Sequence, residues 1–300
     1  MGSFSLLFDL LGYFRRRLAG SEIRSVNLVK RTHEHGGQNY LPTVTIVIPT
    51  RDKVELLAAC IDSVKTLTSY SNYEILIINN GSVEEKTISY LEHLSQQGDR
   101  VLDYPGKFNF SSICNMSVES SNSQLICFLN NDTVVIEPTW LGLMVDHAVQ
   151  PDVGVVGSRL VYENGAVQHI GVAVGITGAA SHPFSGKTIS DPLVSQLSRS
   201  CFEVSAVTFA CAMVSKSLFK SLGGMDPKFR VGLNDIDFSL EALAMGRKNV
   251  MCGLSCLTHL ESKSRNSMTS PQGAARASLE VLRFLKKYRG MLSRDLYFRR

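Results

Sequence analysis

Two stretches of this 300-residue chain carry side chains able to hold a cation or to move a proton. The first is "FLNNDT", residues 128–133, where the apolar run "LICFL" stops at two amides and a carboxylate, Asn130, Asn131 and Asp132. An aspartate at a strand end beside two amides suits a hard divalent cation, because Mg2+ and Mn2+ favour one or two carboxylates together with substrate phosphate oxygens. The same aspartate suits a turn that caps the following helix. The second stretch is "NDIDF", with Asp235 and Asp237 in what reads as the first turn of a helix. Carboxylates there complement the helix macrodipole, and one of them pointing into a cleft could act as a general base. His259, in "LTHLES", is one of seven histidines and reads as a ligand or as a structural residue.

The elements that must position these residues alternate from residue 43 onward. "TVTIVIP" is a β-rich apolar run and predicts a buried strand. Asp52 is placed to cap a helix whose Val54, Leu57, Ile61, Val64 and Leu67 share one face. "EILIIN" predicts a second strand, "VEEKTISYLEHL" a helix, "RVLDYP" a short strand and "SSICNMSVESS" a helix before the strand that ends at Asn130. "PTWLGLMVDHAV" predicts a helix with proline in its first turn. Strands alternating with helices give a doubly wound, mostly parallel α/β sheet, in which ligands bind outside the carboxyl ends of the strands. The polar clusters "PTRD", "NNGS" and "NNDT" all fall at those ends.

The second half is less regular. "VGVVGSRLVY", "VQHIGVAVG" and "VSAVTFACAMVS" predict strands of a smaller mixed-sheet part, and residues 176–200 read as a long loop. "NDIDFSLEALAMG" reads as a helix capped by Asn234 and closed by Gly246. The layout is an extension over 1–42, a domain over 43–265 with halves 43–135 and 136–265, and a helical extension over 266–300.

Composition narrows the function. The net charge of +4 comprises +2 in residues 1–18, +6 in residues 276–300 and −4 between them. That distribution excludes a basic nucleic-acid face on the domain itself. The N-terminal "FSLLFDLLGYFRRRL" is too short and too interrupted to span a bilayer. As a helix it puts Phe4, Leu7, Leu11, Phe14 and Leu18 opposite Ser5, Asp9, Gly12 and Arg16, a pattern for a membrane interface or for packing on a protein. Seven cysteines sit mostly in apolar runs, and "CGLSC" has no second pair at zinc-site spacing, so buried thiols in a reducing compartment are expected. No GxGxxG follows the first strand, and "SHPFSGKT" has Ser181 where a phosphate loop needs its first glycine. Dinucleotide oxidoreductases and P-loop ATPases are thereby set aside.

Taken in order, "VTIVIPTRD", "IINNGS", "FNFSSICN", "FLNNDT", "SAVTFACAMV", "GGMDPKF", "NDIDFSL" and "HLESKSR" resemble the family 2 glycosyltransferases. The likeness is greatest to the branch associated with bacterial O-antigen and other surface polysaccharides, and it spans residues 44–265. The resemblance implies the A-type glycosyltransferase fold and inverting transfer from a nucleotide-diphosphate sugar to a glycan or lipid-linked acceptor. It implies that Pro49, Thr50, Arg51 and Asp52 receive the nucleoside, with Asn79, Asn80 and Gly81 in the next loop. Lys107, Asn109 and Asn115 match a segment near the donor. Asn130, Asn131 and Asp132 stand at the family's metal motif, His259 completes the Mn2+ or Mg2+ site, and Arg265 matches a basic residue near the diphosphate. Asp235 matches the catalytic base, and Phe209 stands where many relatives have glycine beside the donor sugar. The implied location is the inner face of the cytoplasmic membrane, held by the basic ends. Two other readings share parts of this pattern. A sugar-nucleotide nucleotidyltransferase would need a glycine-rich basic loop where "PTRDKVE" stands, and a non-catalytic nucleotide-sugar-binding module would have no reason to keep Asp132, Asp235 and His259 together.

Overall fold

Residues Val44–Thr50 form β1, a strand buried along nearly its whole length. Val44, Ile46 and Ile48 enter one apolar layer with Leu57, Ile61, Trp140 and Met144, while Val47 enters the opposite layer with Ile113, Phe128 and Phe219. A strand with no polar face is stable where helices cover both sides of its sheet, and each Ile or Leu so buried contributes about 1.5–3 kcal/mol. The computed structural model describes residues 34–35, 38–39, 41–175, 179–260 and 271–292. The N-terminal stretch 1–18 and Arg265 lie outside them.

After β1 come α1 (Val54–Leu67), β2 (Tyr73–Asn79), α2 (Glu85–Gln96), β3 (Arg100–Asp103), α3 (Phe110–Ser120) and β4 (Leu125–Leu129). Then follow β5 (Thr133–Val135), α4 (Trp140–Ala148), β6 (Val153–Val161), β7 (Val167–His169), β8 (Ala173–Val174) and β9 (Ala180–Ser181). The chain continues through α5 (Pro192–Leu197), β10 (Cys201–Val204), β11 (Cys211–Ser215), α6 (Lys216–Ser221), α7 (Asn234–Ala244) and β12 (Lys248–His259). Helices α8 (Pro271–Lys287) and α9 (Arg289–Leu292) follow, and a short antiparallel ladder of Glu34–His35 with Gln38–Asn39 precedes β1.

One sheet runs in the order β10-β12-β6-β11-β4-β1-β2-β3, with β5 added on β12 and β7 on β6. Strands β3, β2, β1 and β4 are parallel, β11 is antiparallel to both β4 and β6, and β12 runs parallel to β6. The mixed part is thus a continuation of the parallel sheet, while β8 and β9 pair as a separate small antiparallel ladder. The order reverses between β1 and β4, so the crevice opens at the carboxyl ends of those two strands.

Several local expectations change. Asp52 does not cap α1; its Oδ1 accepts from the backbone N–H groups of Val83 and Glu84, at the start of α2. Asp52 and Lys53 instead turn the chain with φ of 55° and 60°. Left-handed backbone costs a non-glycine residue on the order of 1 kcal/mol, and the Asp52 hydrogen bonds oppose that cost. Pro138 lies just ahead of α4, whose N-cap is Thr139. Residues 176–200 contain α5, capped by Asp191 through the N–H groups of Leu193 and Val194. "VSAVTFACAMVS" divides into β10 and β11, and residues 205–210 between them cross the site. Leu233, at φ 61°, is the N-cap of α7, and Asn234 is its first residue. Gly246 closes α7 at φ 77° as expected. Strand β12 had no clear signal in the sequence, and it is the element that delivers His259.

Candidate active site

Four strand ends build one side of the crevice. Asn131, after β4, donates from Nδ2 to Thr50 Oγ1 at the end of β1, 2.9 Å away, so the first and fourth loops are tied directly. Asn80 donates from Nδ2 to the Gly106 carbonyl, 2.9 Å, joining the loops after β2 and β3. Its Oδ1 is buried with no partner among the described residues, an acceptor that a bound N–H would satisfy. Asn79 is engaged within the fold, donating to Asp103 Oδ1 and accepting from Ser82 N–H. Pro49 ends β1 beside Thr50, and Gly81 turns the next loop at φ 67°. Arg51 and Lys107 are exposed at the rim.

Asn109 and Asn115 have a different role. Asn109 caps α3 through Ser112 N–H and donates to the Pro227 carbonyl. Asn115 both donates to the Met225 carbonyl and accepts from its N–H, at 2.9 and 2.8 Å. Together they pin the "GGMDPKF" turn against α3.

At the centre, Asp132 and His259 are buried, 4% and 6% exposed. The antiparallel pairing of β5 with β12 sets His259 opposite Thr133, next to Asp132. Gln168 donates from Nε2 to the His259 carbonyl at 3.4 Å, which orients its amide so that Oε1 accepts from His259 Nδ1–H at 2.5 Å. The other ring nitrogen, Nε2, then lies 3.0 Å from Asp132 Oδ1 and 3.4 Å from Asn130 Nδ2. Two electron-pair donors this close need a positive charge between them, a proton or a divalent ion. A carboxylate and a neutral imidazole held by an outer amide form a donor set that fits Mn2+ or Mg2+.

Asp235 lies across a short network from that pair. Asn130 N–H donates to the Ala210 carbonyl at 2.9 Å, while Phe209 N–H donates to Asp235 Oδ2 at 3.3 Å. The segment 208–210 therefore links the cation-type pair to the carboxylate. Burial pushes the Asp235 carboxyl above its ordinary range, against hydrogen bonds from Ile236 N–H, Phe209 N–H and the Thr208 side chain and the nearby His182. His169, adjacent to Gln168, is held well below the usual imidazole range by burial and by His182 and His259, so it is neutral. Its Nδ1 meets His182 Nδ1 at 3.0 Å.

The two acids of "NDIDF" separate as residues two apart on a helix must. Asp237 turns away from Asp235 and meets Lys287 Nζ at 2.7 Å and Tyr288 Oη at 2.8 Å. Glu280 of α8 is also buried and accepts from the N–H groups of Arg230 and Gly232, fixing the turn that precedes Asp235. The Phe209 ring stacks on Phe128 at 5.2 Å and meets Phe238 edge-on, 1% exposed. It is a core side chain.

The sequence profile of Glycosyl transferase family 2 matches residues 45–223. The chain belongs to that family. This family 2 chain is 35% identical over 235 residues to the O-antigen biosynthesis protein RfbC of Myxococcus xanthus, a match covering 77% of the chain and 18% of that protein. It is 36% identical over 246 residues to the uncharacterized protein y4gI of Sinorhizobium fredii (strain NBRC 101917 / NGR234), covering 80% and 27%. The chain thus spans under a third of the length of either relative. Among solved structures, the mannosyltransferase PcManGT from Pyrobaculum calidifontis, in complex with GDP-Man and Mn2+, superposes with a TM-score of 0.64 at 14% identity, covering 98% of this chain and 78% of that one. GalNAc-T7 with UDP, GalNAc and Mn2+ gives 0.62 at 15% identity, covering 87% and 52%. The family 2 domain accordingly has the A-type glycosyltransferase fold.

Sequence reasoning did not find Gln168, His169, Thr208 or Glu280. Each is far along the chain from the site, and the available signal was the pair of polar side chains inside the apolar run "VQHIG".

Proposed function

We propose that the chain is an inverting, divalent-metal-dependent glycosyltransferase. It moves a sugar from a nucleotide-diphosphate sugar to a hydroxyl of a glycan or lipid-linked acceptor in bacterial surface polysaccharide synthesis. The observation that carries this is the convergence of Asp132 Oδ1 and His259 Nε2 at 3.0 Å at the switch point of the sheet, with Asp235 joined to them through residues 208–210. The Mn2+ in both solved relatives and the O-antigen role in the name of RfbC support it.

In this reading Asn80 offers its buried Oδ1 to the nucleobase, and Thr50, Asp52 and Asn131 shape the nucleoside seat. Asp132 and His259 hold the ion, which when bound takes up the negative charge gained by the leaving diphosphate. Arg265 adds positive charge near that group. Asp235 accepts the proton that the acceptor hydroxyl loses as its oxygen attacks the anomeric carbon from the face opposite the diphosphate. Burial of Asp235 raises its basicity toward that task.

No helix among the described residues is long and apolar enough to cross a membrane. Helix α8 nevertheless exposes Leu279 and Leu282, at 65% and 63%, beside the exposed Arg283 and Lys286. That pairing of apolar and basic groups suits an anionic bilayer surface, where each cation contributes about 1 kcal/mol. It supports peripheral attachment near a lipid-linked acceptor.

The deciding experiment is a screen of nucleotide sugars for Mn2+-dependent release of nucleoside diphosphate. Release by the wild type and its loss in Asp132→Ala is the expected result. Tight nucleotide binding with no hydrolysis or transfer from any donor would instead establish a binding module.

A further inference from the structure

A second group of metal-type ligands lies seven residues back along β12 from His259, on the far side of the bulge between Cys252 and Cys256. Strand β10 is the edge of the sheet, and its ladder with β12 sets Cys201 opposite Cys252. Gly253 N–H donates to the Ser200 carbonyl at 2.9 Å, which makes 200/253 a hydrogen-bonded pair and 201/252 the non-hydrogen-bonded pair beside it. Side chains stand closest in such pairs, and the two sulfurs are 3.2 Å apart. His147, in the last turn of α4, brings a ring nitrogen to them, and the three ligand atoms all lie within 4.8 Å of one another.

A zinc-class ion binds the thiolate form and displaces the thiol proton. The turn that carries the chain past Cys252 depends on glycine at 253, where a Cβ would stand 2.0 Å from the Leu197 carbonyl oxygen. Bonds of about 2.3 Å to sulfur and about 2.0 Å to nitrogen put the ligand atoms of a tetrahedral shell roughly 3.5–3.8 Å apart. Small side-chain rotations bring the present spread to that spacing.

We propose that His147, Cys201 and Cys252 form a binding site for a soft divalent ion of the zinc class, with solvent or Asp146 in the fourth position. The ion clamps edge strand β10 and helix α4 onto β12. The site is separate from Asp132 and His259, which offer oxygen and nitrogen only.

The test uses the full chain, purified under reducing conditions, stripped with a chelator and titrated with Co2+. A thiolate-to-cobalt charge-transfer band is expected, bleached by Zn2+, retained in Asp132→Ala and lost in Cys201→Ser and in Cys252→Ser. His147→Ala should weaken Co2+ binding at least about tenfold, since loss of even an outer-shell partner costs that much. Absence of the band in wild type with its thiols free, or a band that survives Cys201→Ser, overturns the proposal. So does a Cys201–Cys252 disulfide in the anaerobically purified protein, because it would leave no thiolates to ligate.

Discussion

Replacing Asp235 by asparagine tests the assignment of the base with little change of shape. Asp235 Oδ1 accepts from Ile236 N–H at 2.9 Å and Oδ2 from Phe209 N–H at 3.3 Å. Asparagine keeps one of these acceptors and turns an NH2 toward the other donor, a loss of about 1 kcal/mol. Against that, the carboxyl is held above its ordinary range by burial. A raised carboxylate pKa means that the folded state prefers the protonated acid. Stability from this group is greatest below the unfolded pKa near 3.9 and falls as pH rises toward the folded value. At neutral pH the charge is therefore a burden that asparagine removes. The two effects oppose each other, and the melting temperature should move by no more than about 3 °C. Activity should behave otherwise. A positioned base contributes about 10²–10⁴-fold, or roughly 3–5 kcal/mol of barrier, and transfer should fall by that factor. Nucleoside diphosphate and Mn2+ affinity should stay nearly unchanged, because in the proposed role the base meets the acceptor hydroxyl and not the diphosphate. In the wild type, the rate should fall as pH drops through a value above the usual aspartate range, where Asp235 takes up its proton. The assay is transfer rate against pH with one donor and one acceptor, beside calorimetric nucleotide binding and thermal melting. Near-normal turnover in well-folded Asp235→Asn would remove Asp235 from the role of base.

The remaining expectations concern its neighbours. Asp132→Ala and His259→Ala should weaken Mn2+-dependent binding of nucleoside diphosphate, and Gln168→Leu should do so by about 10–100-fold through loss of ring orientation; unchanged calorimetric affinity in Asp132→Ala would remove it from the metal site. Asp237→Asn, which breaks the contact with Lys287, should lower stability by about 1–3 kcal/mol and leave the rate per folded molecule nearly intact, read by denaturant titration beside turnover. Leu279→Ser with Leu282→Ser should reduce flotation with anionic vesicles, and wild-type flotation should fall as salt rises; indifference of the wild type to such vesicles at low salt would end the membrane reading.

Much of the first half was legible in the sequence because its logic is local. Continuous apolar runs such as "VTIVIP" and "LICFL", each ended by polar residues, announce buried parallel strands and the edge where a ligand sits. The ordered motifs likewise led to the family before any coordinates were needed. Capping was less legible: Asp52 stands where a helix cap is expected, yet its carboxylate serves the next helix, across a distance in sequence that local rules do not see. The separate fates of Asp235 and Asp237 followed from helix geometry, whereas their partners did not. Lys287 and Tyr288 come from the end of a helix and the turn after it, some fifty residues on, and the Phe209 N–H comes from a crossing that reads as uninterrupted strand. The resemblance implied that His259 joins Asp132, but the physical reason was not legible, because β12 carries no clear pattern of its own and its register on β5 is a matter of sheet pairing. The cysteines show the same divide. Their spacing along the chain resembles no metal motif, and only the pairing of β10 with β12 under α4 gathers His147, Cys201 and Cys252, since ligand geometry depends on distance in space and not along the chain.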